Sequence, residues 1–299
     1  MSEDLDRESL NELSVLSKKK NDRKRYIKGI MTMVGGVTLE LYLGTFFLWG
    51  NISNYVLSYF HELDPNSSYS FIFAVDVVLV FAIWFGYQLG AFLFQTLRWN
   101  VKIVILLGAS CALSGVYMSS YTTNLPAFLC FYCIMNGLGS GCCYFVPLVC
   151  GWEYFPEKKG IVSGVILAGY GFSTFIFSLV STALVNPNGD NPSIEDPDPD
   201  SDLTFFGPEV ADRVPYMLRT LVYIWTALVV VALALITRPP KEEPVVADIE
   251  DFEASENDNT TAMSPKSDHK EGQHTAIEAK SSDGISTVKD KSNSSIDIT

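Results

Sequence analysis

One carboxyl, Glu40, stands near the middle of an apolar block running from about residue 29 to 50. An ionisable group at that depth costs about 2.5 to 3.5 kcal/mol on insertion scales, so it must face a protein interior and either pair or take up a proton. Such a group can couple proton movement to the passage of a solute. It can equally be a neutral, hydrogen-bonded carboxyl that orders helix packing. Asp76 and Arg219 lie nearer the ends of two other apolar blocks, and an arginine about one turn inside a span ordinarily snorkels to the headgroups.

The other reactive side chains do not assemble into a catalytic set. Cys130-x-x-Cys133 has redox or zinc spacing, but no second pair or histidine lies at ligand distance along the chain. All six cysteines, Cys111, Cys130, Cys133, Cys142, Cys143 and Cys150, fall in apolar blocks, as small buried residues do. His61, His269 and His274 are scattered in polar segments, with no nucleophile, base and orienter at recognisable spacing. The acids Asp190, Glu195, Asp196, Asp198, Asp200 and Asp202 lack the glycine-containing twelve-residue loop of a calcium site. The chain reads as a non-enzyme with no cofactor and no metal centre.

The elements that position these residues follow from composition. Of 299 residues, 48% are hydrophobic and 18% charged, and the apolar residues come in long blocks. Hydrocarbon about 30 Å thick takes about 20 apolar residues per helix. Blocks near 29–50, 71–95, 101–121, 127–150, 160–185 and 215–237 therefore predict an all-α membrane protein with six transmembrane helices. Lys and Arg gather in residues 1–28, at Arg98 and Lys102, at Lys158 and Lys159, and after the sixth block, which places both termini in the cytoplasm. The formal net charge of -13 comes largely from residues 186–213 and 239–299 and argues against nucleic acid as a partner. The first of these segments reads as a flexible outer loop, and residues 238–299 as a disordered cytoplasmic tail with a weak phosphorylation motif at Ser264-Pro265. Residues 51–70 read as a polar outer loop holding the sequon Asn66-Ser67-Ser68.

Glycine is densest between residues 136 and 171. Gly137 and Gly141, and again Gly160 and Gly164, stand four apart, a spacing that puts small residues on one helical face and lets backbones approach. Two packed spans joined by a basic turn at Pro156, Lys158 and Lys159 are expected, with Pro147 bending the first.

The whole string resembles the junction of the fourth and fifth helices in the oxalate/formate antiporter branch of the major facilitator superfamily, near the monocarboxylate carriers. Gly139, Gly141, Tyr144 and Pro147 match G-x-G-x-x-Y-x-x-P. Phe155 to Gly160 match the F-P-D-K-R-G turn, with Tyr154 in the preceding tryptophan slot. Gly164, Ala168, Gly169 and Gly171 match G-x-x-x-A-G-x-G. The string from Gly44 to Trp49 is similar to the family's G-x-x-Y-x-W, with Phe47 in the tyrosine slot. The inner charge motif G-x-x-x-D-R-x-G-R-R survives only as Gly90, Arg98 and Lys102. Gln95 stands about where its aspartate would be, and Arg98 where its glycine would be.

The resemblance implies one six-helix bundle of the superfamily's two, covering about residues 28 to 238, and transport of a small organic anion by alternating access. It implies that Tyr144 and Tyr170 line the cavity with Phe47 nearby, and that Gly137, Gly139, Gly141, Pro147, Gly160, Gly164, Gly169 and Gly171 serve packing and gating. The family's substrate-neutralising cations come from the other bundle, and Arg219 is a poor substitute. A homodimer or a separate second half would complete the path. A truncated carrier kept as a membrane scaffold or regulator, and an incomplete chain of a twelve-helix transporter, are the alternatives.

Overall fold

A computed structural model describes residues 2–64, 70–195 and 204–239. Expectations for the sequon at Asn66, the acids from Asp196 to Asp202, and the tail beyond Pro239 with Ser264, His269 and His274 lie outside these residues.

The first span is longer than its apolar block. Helix α1 (Ser2–Leu43) carries the basic leader straight into the membrane segment and tightens into a 3-10 turn at Gly44–Leu48. Helix α2 (Trp49–Leu63) then continues where a polar loop is expected from residue 51. The reason is a second pattern beneath the polar residues. Ile52, Tyr55, Val56 and Phe60 recur at helical spacing and are buried, while Asn51 and Asn54 face outward.

Helix α3 (Ser70–Ala91) widens into a π-helical turn at Phe92–Thr96. Helix α4 (Val101–Ser119) begins at Asn100, whose side chain accepts the Lys102 backbone N–H at 2.9 Å. The short α5 (Leu125–Phe128) leads through a π-helical stretch, Leu129–Met135, into α6 (Asn136–Tyr154). A 3-10 turn at Pro156–Lys158 precedes α7 (Lys159–Val185). A two-residue ribbon, β1 (Ile194–Glu195) against β2 (Thr204–Phe205), comes before α8 (Pro208–Ala211) and α9 (Val214–Leu235). Among the described residues, six helical segments are long and apolar enough to cross a membrane: Val15–Leu63, Ile72–Thr96, Val101–Ser119, Leu125–Tyr154, Pro156–Val185 and Pro208–Leu235. This is an all-α bundle of six membrane-spanning helices.

Small residues set how closely these helices approach, as they must where lipid supplies no hydrophobic drive between spans. A methyl built on Gly137 would lie 2.6 Å from the Ala82 Cβ, and one on Gly141 would lie 2.5 Å from the Ile83 carbonyl oxygen. Gly139 meets Gly108 and Ala112 of α4. The glycine face of α6 therefore packs against α3 and α4, not against the helix that follows it. Gly160, Gly164 and Gly171 have nothing within 4 Å of an added methyl, so the expected close pairing through Gly160 and Gly164 does not occur among the described residues. Gly169 does pack, against the Val37 carbonyl of α1.

The start of the first span and the end of the sixth lie at one end of the bundle. There the Thr237 N–H donates to Thr32 Oγ1 at 3.2 Å, and the Tyr154 and Thr237 hydroxyls bond at 2.9 Å. At the other end, Phe205 and Phe206, just before α8, pack onto α2. The Phe205 ring is buried and stacks on His61 at 3.8 Å, and the Phe206 N–H donates to Ser58 Oγ at 2.9 Å. Two adjacent aromatics anchor to α2 what acidity alone would leave loose.

Candidate functional site

Helices α1 and α7 fix the centre of the site. Gly44 sits against the Tyr170 carbonyl and the Ser173 Cβ, and Gly169 against Val37. Val37, Glu40 and Gly44 are spaced at three and four residues, so all three share the face of α1 that meets α7. Glu40 is consequently wholly buried and faces protein, as its depth demands. Neither of its carboxyl oxygens has a hydrogen-bond partner, and it forms no ion pair among the described residues. Of the two ways to accommodate a carboxyl there, pairing is absent.

Three phenols from three helices pack on one another nearby. Tyr144 of α6 and Tyr170 of α7 meet edge to face with ring centres 5.6 Å apart, and Tyr87 of α3 lies 5.0 Å from Tyr144. All three lie within electrostatic reach of Glu40. Phe47 packs on Tyr170 at 5.6 Å and is half exposed, forming the rim. Phe145 closes the opposite side against Tyr87 and Tyr144. The predicted lining residues Tyr144, Tyr170 and Phe47 are thus gathered with Glu40 in one place.

Tyr87 is the member that sequence reasoning missed. A tyrosine in an apolar block has no signature of its own, and its place is set by the close approach of Gly86 and Gly90 to Gly141 and Cys142. The adjacent polar pair Tyr87-Gln88, in a block otherwise nearly all apolar, was the available signal.

The cluster can offer hydroxyl donors, aromatic walls and one exchangeable proton. It resembles neither a metal nor a cofactor site in its donors, and the two cysteines of the Cys-x-x-Cys motif do not converge, since Cys130 is exposed and Cys133 buried. Arg219 is not in the cluster: its guanidinium lies 4.6 Å from the Tyr121 ring centre.

A different set of charges occupies the basic end. Arg238 donates from Nε to Glu153 Oε2 at 2.7 Å, and its Nη2 also bonds Glu153, while the guanidinium covers the Phe94 ring at 4.8 Å. A cleft of about 600 Å³ beside this pair is lined by Gln95, Arg98, Val149 and Trp152. Arg98 adopts φ +52, the left-handed conformation that glycine takes without cost.

The bundle is an all-α domain with six helices, among the described residues, long and apolar enough to cross a membrane. The Major Facilitator Superfamily profile matches residues 34–282, and the chain belongs to that family. It is 30% identical over 269 residues to Apicoplast pyruvate carrier 1 of Toxoplasma gondii, an alignment covering 75% of this chain and 48% of that protein. It is 30% identical over 86 residues to Monocarboxylate transporter 12 of Homo sapiens, covering 29% of this chain and 17% of the relative. Against the Oxalate:formate antiporter of Oxalobacter formigenes the identity is 28% over 88 residues, covering 29% and 21% respectively. The chain spans about half the length, or less, of these relatives.

Proposed function

We propose that this bundle forms one wall of a path along which a small organic anion, of the monocarboxylate, oxalate or formate kind, crosses a membrane by alternating access. One observation carries the reading: Glu40, buried and unpaired, stands behind phenols from three different helices. The carriers of pyruvate, monocarboxylate and oxalate:formate among its relatives support the anion class.

Tyr144 and Tyr170 each offer a hydroxyl to a carboxylate while their rings exclude water, and Phe47 and Tyr87 complete the lining. An ionised Glu40 would repel the substrate and a protonated one would not, so Glu40 carries the proton that accompanies the anion. The positive charge that a carboxylate needs comes from the facing wall, a second copy of this bundle or a separate second half. The open stripe at Gly160, Gly164 and Gly171 receives that wall. The close-packed Gly137, Gly139, Gly141 and Gly169, with Pro147, keep the bundle rigid as it rocks. The segments before the first span and after the sixth both lie on the cytoplasmic side, in keeping with the distribution of Lys and Arg.

The test is uptake of labelled pyruvate, lactate, formate and oxalate into proteoliposomes, with and without chemical cross-linking to report the assembly. The Tyr144→Phe, Tyr170→Phe double variant should lose at least about a hundredfold in uptake, the scale of two hydrogen bonds to a charged group. Unchanged uptake overturns the lining assignment. Glu40→Gln should abolish the rise of uptake as pH falls, and a retained pH dependence overturns the coupling. Absence of flux for every anion leaves the scaffold reading in its place.

A further inference from the structure

Arg219 is unusual among the charged residues of this chain. It lies on the second turn of α9, about 7.5 Å along the axis from Val214. Its guanidinium rests on the Tyr121 ring at 4.6 Å, and its Nε is buried without an acceptor. It makes no hydrogen bond or ion pair with any described residue. Asp212 shares the neighbourhood of Tyr59 with it but does not pair with it. A guanidinium keeps its charge throughout the accessible pH range and presents five N–H donors, so this one is a fixed cation still in need of oxygen acceptors.

The surface around it is apolar and aromatic. Met118, Tyr121, Tyr216 and Tyr223 are all more than half exposed, and the Tyr117 and Tyr121 hydroxyls bond each other at 3.0 Å. Tyrosines of this kind sit where headgroups meet hydrocarbon. Arg219, Tyr223, Ala227 and Val230 follow one another at spacings of four, four and three on one face of α9, and Tyr223, Ala227 and Val230 are exposed. A cation near the start of α9 therefore heads an exposed, largely apolar track running toward the middle of the helix.

We infer that Arg219 and the Tyr121 ring form a seat for the phosphodiester of a membrane phospholipid, with one acyl chain lying along Tyr223, Ala227 and Val230. Charge complementarity selects the phosphate, and the track selects a lipid over a soluble anion. The seat involves α9 and the turn that follows α4, not the helices that hold the tyrosine cluster, so it stands independently of any transported substrate.

Native mass spectrometry of the full chain in detergent, titrated with palmitoyl-oleoyl phosphatidylglycerol and phosphatidylcholine, tests the seat. Both lipids carry the phosphodiester and both should be retained. Arg219→Gln should lower retention about tenfold, the scale of one charge-assisted hydrogen bond, and Arg219→Lys should lower it less. Arg98→Gln, at the opposite end of the bundle, should leave this retention unchanged. Ala227→Trp, on an exposed face, obstructs the track without touching the cation and should also reduce retention, which keeps the test decisive should Arg219→Gln not fold. Inorganic phosphate and glycerophosphocholine should neither compete with the lipid nor raise the melting temperature. Equal retention by wild type and the accumulating variants overturns the proposal, and so does competition by the soluble phosphates at the lipid's own concentration.

Discussion

Gly86 and Gly141 meet backbone to backbone: a methyl on either would come within 2.9 Å of the Cα of the other. This contact brings α3 onto α6 and sets Tyr87 beside Tyr144. Gly86→Ala would also drive its methyl to 2.6 Å from the Leu138 carbonyl oxygen, with backbone on both sides and no flexible side chain to yield. Overpacking of this kind costs about 1 to 3 kcal/mol. Thermal unfolding in detergent should show that loss for Gly86→Ala and Gly141→Ala. Gly164→Ala and Gly171→Ala, which point into open space, should stay within about 0.5 kcal/mol of wild type.

Arg98 holds a left-handed backbone that costs a residue with a Cβ about 1 to 2 kcal/mol. Arg98→Gly removes that strain but adds freedom to the unfolded chain, so a net gain of up to about 1 kcal/mol is expected. Arg98→Val, β-branched and just as charge-free, should lose stability. The comparison of the two melting temperatures separates backbone shape from the loss of the cation.

Arg238 and Glu153 tie the end of α6 to the chain leaving α9 through a two-pronged pair, with side chains 40% and 29% exposed. Solvent at that exposure discounts the attraction, so a double-mutant cycle with Arg238→Gln and Glu153→Gln should return a coupling of about 0.5 to 1 kcal/mol. High salt should shrink it. Arg238→Lys keeps the charge but loses the fork and much of the stacking on Phe94, and should recover only part of the coupling.

The ribbon is held to α2 by Ser58 and His61. Ser58→Ala leaves the Phe206 N–H without its acceptor, and His61→Ala removes the face on which Phe205 stacks. Losing one such hydrogen bond costs about 1 kcal/mol. Limited proteolysis should cut the connection between α7 and α9 faster in either variant, and fastest in the pair, while the melting temperature of the bundle changes little.

Hydrophobic blocks sufficed to locate six spans because a bilayer demands long apolar runs whatever the fold within it. The gathering of Phe47, Tyr144 and Tyr170 was legible through a family resemblance, not from spacing. What average hydropathy hid was the continuation of the first span, where Asn51, Ser53 and Asn54 mask the buried series Ile52, Tyr55, Val56 and Phe60. Glycine spacing announced close approach but not the partner: Gly137 and Gly141 face α3, and Gly160 and Gly164 meet none of the described residues. Partner choice is a long-range property that a four-residue repeat does not encode. Tyr87 escaped notice for the same reason, since only the meeting of two helices gives it a role.

The wide winding at Leu129–Met135 sets the rotational phase of everything that follows it in the fourth span. Were this stretch to rewind as ordinary α-helix with every residue kept, the remainder would turn by about 100°. Gly137, Gly139 and Gly141 would then swing off α3 and α4, and Tyr144 would leave its neighbours. The looser coil thus works like the timing mark on a camshaft, an angular setting on which the alignment of the whole bore depends.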